Sequence, residues 1–177
     1  KYAPHQPLTL QALPARIGIR ETRHIRSHYQ LTGDDVLHGH RFPDAIANGS
    51  YRVDIHHDDK PGLTFRYLDG RERYLRPGHP ATNSRWRPEQ AVDPTYYQIP
   101  YRSLIPQGNY GNLLTAGRFI DSDEQAHAAI RVMVNMNQTG EAAGVAAYLA
   151  LQNGCSASGV NIEELRAALC EGGSIML

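Results

Sequence analysis

The apolar positions change period several times along the chain, and each change predicts an element. Tyr51, Val53 and Ile55 alternate with Arg52, Asp54 and His56, the two-residue repeat of a half-buried strand. Residues 63–68 and 71–75 flank Asp69-Gly70, which predicts a hairpin closed by a two-residue turn. Residues 17–25 interleave Arg and His with apolar side chains and predict another strand. A strand resumes over 96–104, with Pro100 placing part of it at an edge or bulge. Between them, residues 79–94 are rich in Pro, Arg and polar side chains without a period, the pattern of a long surface loop.

Helix signals are local. Thr32 and Asp35 make a capping box for a short helix that runs to about His38 and stops at Gly39. Pro43 suits a first helical turn and Asn48-Gly49 a left-handed cap, which predicts a second short helix over 43–47. Asn161, with Glu163 and Glu164 near the positive end of the dipole, starts a last helix that ends at Gly172. The most informative stretch is 112–151. Its apolar run ends in Ala116-Gly117-Arg118 and predicts a buried strand, and a helix with Gly140, Gly144 and Ala147 on one face can lie very close to such a strand.

Composition narrows the function classes. A chain of 177 residues buries a real core and fits one domain. Lys plus Arg and Asp plus Glu balance at 18 each, so nothing recruits a phosphate backbone and no nucleic-acid partner is implied. No apolar stretch approaches a bilayer span, and the first residues lack the layout of a secretory signal. Cys155 and Cys170 make neither a disulfide framework nor a metal-ligand spacing and read as reduced thiols. The cluster Asp54 to Asp59 and the pair His38-x-His40 hold metal-donor types, but there is no His-Glu-x-x-His and no Cys pair, so no metal site is predicted.

Histidine is the residue type to weigh as a base, because its ordinary pKa lies nearest neutrality. If Tyr51, Val53 and Ile55 face the core, Asp54 and His56 share the opposite face, where the carboxylate can orient the imidazole. His57 ends the strand and can point into a cleft instead. Tyr101 and Arg102 compete with both as contacts for an anionic or polyhydroxyl substrate.

Six segments occur in an ordered series that resembles a known family: Gly18-Ile19-Arg20-Glu21-Thr22-Arg23; Leu31-Thr32 with Asp35-Val36; Phe42-Pro43-Asp44-Ala45-Ile46-Ala47; Asp54-Ile55-His56; Ile99-Pro100-Tyr101-Arg102-Ser103-Leu104-Ile105-Pro106; and the Asn112 to Arg118 run. The series is similar to the carboxyl-terminal part of FAD-dependent oxidoreductases of the glutathione-reductase and succinate-dehydrogenase type. The resemblance implies a mixed α/β, α+β chain belonging to a Rossmann-like flavoprotein. Residues 1–111 would be a β-rich substrate side with an insertion at about 58–94, residues 112–151 a flavin-capping strand and helix, and residues 152–177 a terminal helix.

It implies FAD as cofactor and a hydride taken from a small organic substrate. Gly117 and Arg118 would lie by the ribityl or pyrophosphate portion, Asp121 near a ribityl hydroxyl, and the backbone around Ile130, Arg131, Val132 and Met133 against the pyrimidine. Phe119-Ile120-Asp121, Ala129 and Val134 depart from the family's usual residues, so backbone contacts carry over more safely than side-chain ones. The Gly-x-Gly-x-x-Gly turn that would hold the ADP half is absent, and Gly108-Asn109-Tyr110-Gly111 reads as a loop. The expectation is therefore a piece of a longer enzyme, inactive alone, cytoplasmic, partnered by an amino-terminal FAD-binding half and compatible with a homo-oligomer. The rival reading is a non-catalytic ligand-binding or structural module that kept the fold, using the His/Asp cluster for a metal.

Overall fold

The computed structural model describes residue 9, residues 11–15 and residues 18–177. A short helix α1 (Gly33–Leu37) precedes strand β1 (Ala45–Gly49). Strands β2 (Val53–His56), β3 (Leu63–Arg66), β4 (Arg71–Leu75) and β5 (Thr82–Arg85) form an antiparallel meander in sequence order. Strand β6 (Tyr97–Pro100) returns to pair antiparallel with β1. Helices α2 (Glu124–Ile130), α3 (Met133–Asn153) and α4 (Ile162–Glu171) complete the chain. The fold is thus mixed α and β, with both sheets antiparallel.

The core lies around the β1–β6 ribbon. Ala45, Ile46, Ala47, Tyr97 and Ile99 are all buried, and α3 covers β1. Burial of this ribbon on both faces explains why residues 43–47 do not form the predicted helix. Ile46 and its neighbours gain more as a paired central strand, each large apolar side chain contributing about 1.5–3 kcal/mol, than Pro43 and the Asn48-Gly49 cap offer locally. Asp44 closes the ribbon's end: its carbonyl accepts from the Tyr101 amide at 2.7 Å and its carboxylate from the Arg102 amide at 3.2 Å. The predicted strand over 96–104 accordingly ends at Pro100 and passes into a 3-10 turn, Tyr101–Leu104.

The capping box forms as the sequence implies. Thr32 accepts from the Asp35 amide and Asp35 from the Thr32 amide, and Gly39, at φ 62°, follows the helix end. The meander also forms, though its β3–β4 turn is one residue longer than a two-residue loop. The Gly70 amide donates to the Tyr67 carbonyl at 3.1 Å and the Tyr67 amide to the Arg71 carbonyl at 2.9 Å, with Gly70 at φ 82°. The unperiodic stretch 79–94 contains β5, and the buried Arg87 ties its far side to the Leu68 carbonyl and to Asp93.

Two predicted strands are absent. The segment expected as a strand over 17–25, of which residue 17 lies outside the described residues, is irregular, with a bend at Thr22 and no ladder. From its last residue onward the chain threads between two others: the Ile25 amide meets the Phe119 carbonyl, the His28 amide the Ile105 carbonyl, and the Leu31 amide the Asp121 carbonyl. Residues 112–118 likewise carry no strand. Their backbone bond to a core element is Thr115 to the Leu104 carbonyl, Asn112 and Leu113 are exposed, and Gly117 at φ 116° turns the chain away from any continued ladder.

Nor does α3 use its glycine face for packing. It buries Asn135, Thr139, Ala142, Ala146 and Leu149, while Gly140, Gly144 and Ala147 look outward. Helix α4 closes the other side of α3 through the buried Leu165 and Leu169, and Asn161 caps it by accepting from the Glu163 and Glu164 amides at 2.9 and 3.1 Å.

Candidate functional site

Helix α2 starts under a conventional cap, the Asp123 carboxylate accepting from the Ala126 amide at 2.8 Å. It ends at Arg131, and one extended residue later the long helix α3 begins. The residue at that cap position is Val132, which has no side-chain acceptor. The amides of Met133, Val134 and Asn135 therefore precede the first α3 bond, Met136 to the Val132 carbonyl, without a side-chain cap. Met133 is 81% exposed. These amides open on a cleft of about 530 Å³, whose other wall includes Asn48, Ser50, Tyr51, Arg52 and Tyr67. The Arg52 guanidinium lies 3.9 Å from the Phe65 ring centre, and its Nε is buried without a partner among the described residues. Free amides, the positive end of a 21-residue helix and an arginine make this cleft favourable to negative charge.

Of the residues singled out from sequence, Val132 and Met133 sit at this helix start. Ile130 is fully buried and does not line the cleft. Arg131 turns back and donates to the Asp54 carbonyl at 3.2 Å, with the Asp54 carboxylate 4.0 Å away. Asp54 in turn lies 3.4 Å from Nε2 of the half-exposed His56 and accepts from the Tyr51 hydroxyl at 3.5 Å. The structure thus gathers Tyr51, Asp54, His56 and Arg131.

Other predicted residues have commitments elsewhere. His57 Nε2 meets the Thr64 hydroxyl at 2.7 Å inside its own hairpin. Tyr101 is buried and donates to the Ala157 carbonyl at 2.7 Å, and burial pushes its hydroxyl up to about 12, so it stays a neutral donor. Arg102 pairs with Asp44 at 3.3 Å and lies 4.7 Å from the Tyr29 ring centre. The Asp121 carboxylate accepts from the Ser27 amide at 2.7 Å and its hydroxyl at 3.3 Å, which staples the threaded segment in place.

Arg118 borders a second concavity, about 280 Å³, with Arg20, Glu21 and Arg23, while Gly117 turns the chain just before it. Beside it stands a group the sequence reading passed over. Glu21 Oε1 is 2.8 Å from His24 Nε2, and Glu21 Oε2 is 3.2 Å from His127 Nδ1. Burial pushes His127 down, outweighing the attraction of Glu21, and favours a neutral ring. Burial alone would raise Glu21, but the His24 contact and the charges of His127 and Arg131 hold it below the usual carboxylate range. Glu21-x-x-His24 was visible as a spacing; His127, more than a hundred residues away in α2, was not. Arg52 and Tyr67 were missed for the same reason, since only the meander brings them to the start of α3.

The sequence matches the family described as FAD dependent oxidoreductase over residues 2–169. The chain belongs to that family. Comparison with curated proteins and with solved structures gives no match. FAD is the cofactor of this oxidoreductase family, and the chain's own groups suit one end of it. The uncapped start of α3 fits the electron-rich edge of a flavin, and the guanidinium groups of Arg20, Arg23 and Arg118 fit phosphate oxygens. Among the described residues no helix is long and apolar enough to cross a membrane.

Proposed function

We propose that this chain forms the flavin-side wall and part of the substrate pocket of an oxidoreductase acting on a small organic substrate. FAD, when bound, accepts the hydride. The Met133, Val134 and Asn135 amides would hold its pyrimidine edge and favour the charge gained on reduction. Arg118, with Arg20 and Arg23, takes the pyrophosphate or ribityl end. His56, oriented by Asp54, removes the substrate proton that accompanies hydride loss, and Arg52 and Tyr67 line the substrate's side of the cleft. The ADP half needs a dinucleotide-binding unit, in this polypeptide or another, because the described residues include no strand, glycine-rich turn and helix in succession. What carries the reading is the uncapped α3 start opening into the 530 Å³ cleft.

Met133→Asp tests it. An acidic residue in the first turn of α3 suits the helix dipole and should leave folding intact or improve it by about 0.3–1 kcal/mol. The same carboxylate opposes the reduced flavin, so FAD occupancy should fall and the flavin midpoint potential should become more negative. Unchanged occupancy and potential would remove α3 from the flavin site. A folded protein that stays colourless with added FAD would favour the non-catalytic ligand-binding reading.

A further inference from the structure

In the Glu21, His24 and His127 group, two backbone carbonyls aim the imidazole rings at one carboxylate. His24 Nδ1 lies 2.8 Å from the Ile120 carbonyl oxygen, and His127 Nε2 lies 3.1 Å from that of Arg118. A carbonyl oxygen only accepts, so on each ring the nitrogen facing it is the one that donates. The other two nitrogens, His24 Nε2 and His127 Nδ1, face the two oxygens of one carboxylate, one on each. Two imidazole nitrogens and a carboxylate, all metal-donor types, thus converge. The three ligand atoms lie within 4.8 Å of one another, and the rings meet edge to face at 4.8 Å between centroids.

We propose that this group is a divalent transition-metal site with His24 Nε2, His127 Nδ1 and the Glu21 carboxylate as its protein ligands. Two imidazoles and a carboxylate form a borderline donor set, suited to Zn2+ or a similar ion, and three protein ligands leave a position open for water. The two backbone carbonyls do what outer partners of metal-bound histidines do: they fix the tautomer and aim the ring. The elements support the placement. Asp123 caps α2 so that His127 enters the core side, and the Ile25 amide bound to the Phe119 carbonyl holds the Glu21–His24 turn against it. Glu21 also lines the 280 Å³ pocket with Arg20, Arg23 and Arg118, so solvent or a small anion reaches the ion. The site lies apart from His38-x-His40 and from the Asp54 to Asp59 cluster, the places where the sequence offered metal-donor types.

The test is metal uptake by the whole protein after chelator treatment, with Zn2+ followed by calorimetry and Co2+ by its visible absorption bands. Stoichiometric binding with nitrogen and oxygen coordination is expected. Glu21→Gln and His24→Ala, both at accessible positions, should weaken it by about 100-fold or more, beyond the roughly 10–100-fold cost of losing an outer partner. His38→Ala, a solvated histidine in another part of the chain, should not change it. Because His127 is buried and its removal threatens α2, the two accessible ligands carry the test, with circular dichroism confirming that each variant is folded. No stoichiometric uptake would overturn the proposal, as would uptake indifferent to both variants. So would nitrogen NMR showing His24 and His127 as imidazolium ions paired with Glu21 in a protein that takes no metal. FAD occupancy, read separately, decides the flavin assignment whichever way the metal result falls.

Discussion

A methyl group added at Gly144 would meet nothing within 4 Å, because the residue lies on the outer side of α3. Gly144→Ala should therefore raise the stability of the chain by about 0.5–1 kcal/mol, the ordinary gain from replacing an exposed helical glycine. A lower urea midpoint in the variant would contradict the observed orientation of the helix. The opposite outcome would follow from the tight strand-on-helix contact that the spacing of Gly140, Gly144 and Ala147 suggests. Spacing identifies a face but not the direction in which it points, and here Asn135 and Thr139, both polar, face inward. Tyr101 teaches the same lesson for chemistry. Its hydroxyl holds the Ala157 carbonyl, so Tyr101→Phe should cost about 1–3 kcal/mol by stranding a buried acceptor, while flavin reduction by substrate continues at the wild-type rate. A large loss of rate with unchanged stability would return Tyr101 to the catalytic list.

Elements specified by neighbours in sequence were legible, and those specified by distant partners were not. Thr32 with Asp35, Asn161 with Glu164, and the Asp69-Gly70 turn each act within a few residues, and each forms. The 43–47 segment reads as a helix until Tyr97 and Ile99 are placed beside it, since its strand exists only through that pairing. Residues 112–118 show the converse: an apolar run predicts a buried strand, yet no partner strand is available and Gly117 turns away. The β3–β4 hairpin also carries a pH prediction. Burial raises the Glu72 carboxyl, but Arg66 at 2.7 Å and the Ser84 hydroxyl at 3.0 Å outweigh it, so its folded pKa lies below the ordinary value. A group lowered in the folded state contributes its full stabilisation above the unfolded pKa and loses it as pH falls through the folded one. Urea midpoints should therefore drop from about pH 5 downward, and Glu72→Gln should flatten part of that slope. A wild-type slope retained in Glu72→Gln would assign the acid sensitivity to other carboxylates.

At the scale of the molecule, the chain keeps its two charged regions separate while joining them through one side chain. Arg131 ends α2 between the Asp54 carbonyl, on the cleft side, and the Glu21 group, whose carboxylate it helps to hold ionised. The cleft at the start of α3 and the arginine-lined pocket at Arg118 are distinct concavities, so losses in cofactor binding and in chemistry should be separable. Arg118→Ala removes a guanidinium that is exposed and makes no ion pair among the described residues, so it should lower FAD occupancy without destabilising the fold. His56→Ala should leave the full protein yellow and slow flavin reduction by substrate by about 100-fold or more, the loss expected of a general base. His57→Ala, which removes the contacts with Thr64, Asp59 and Tyr74 within its own hairpin, should change stability rather than rate. Stopped-flow reduction of the flavin in the three variants checks the division. If His56→Ala reduces at the wild-type rate, the proton is taken by another group and Asp54 with Tyr51 becomes the next pair to remove; if Arg118→Ala keeps full occupancy, the arginine pocket serves a ligand other than FAD.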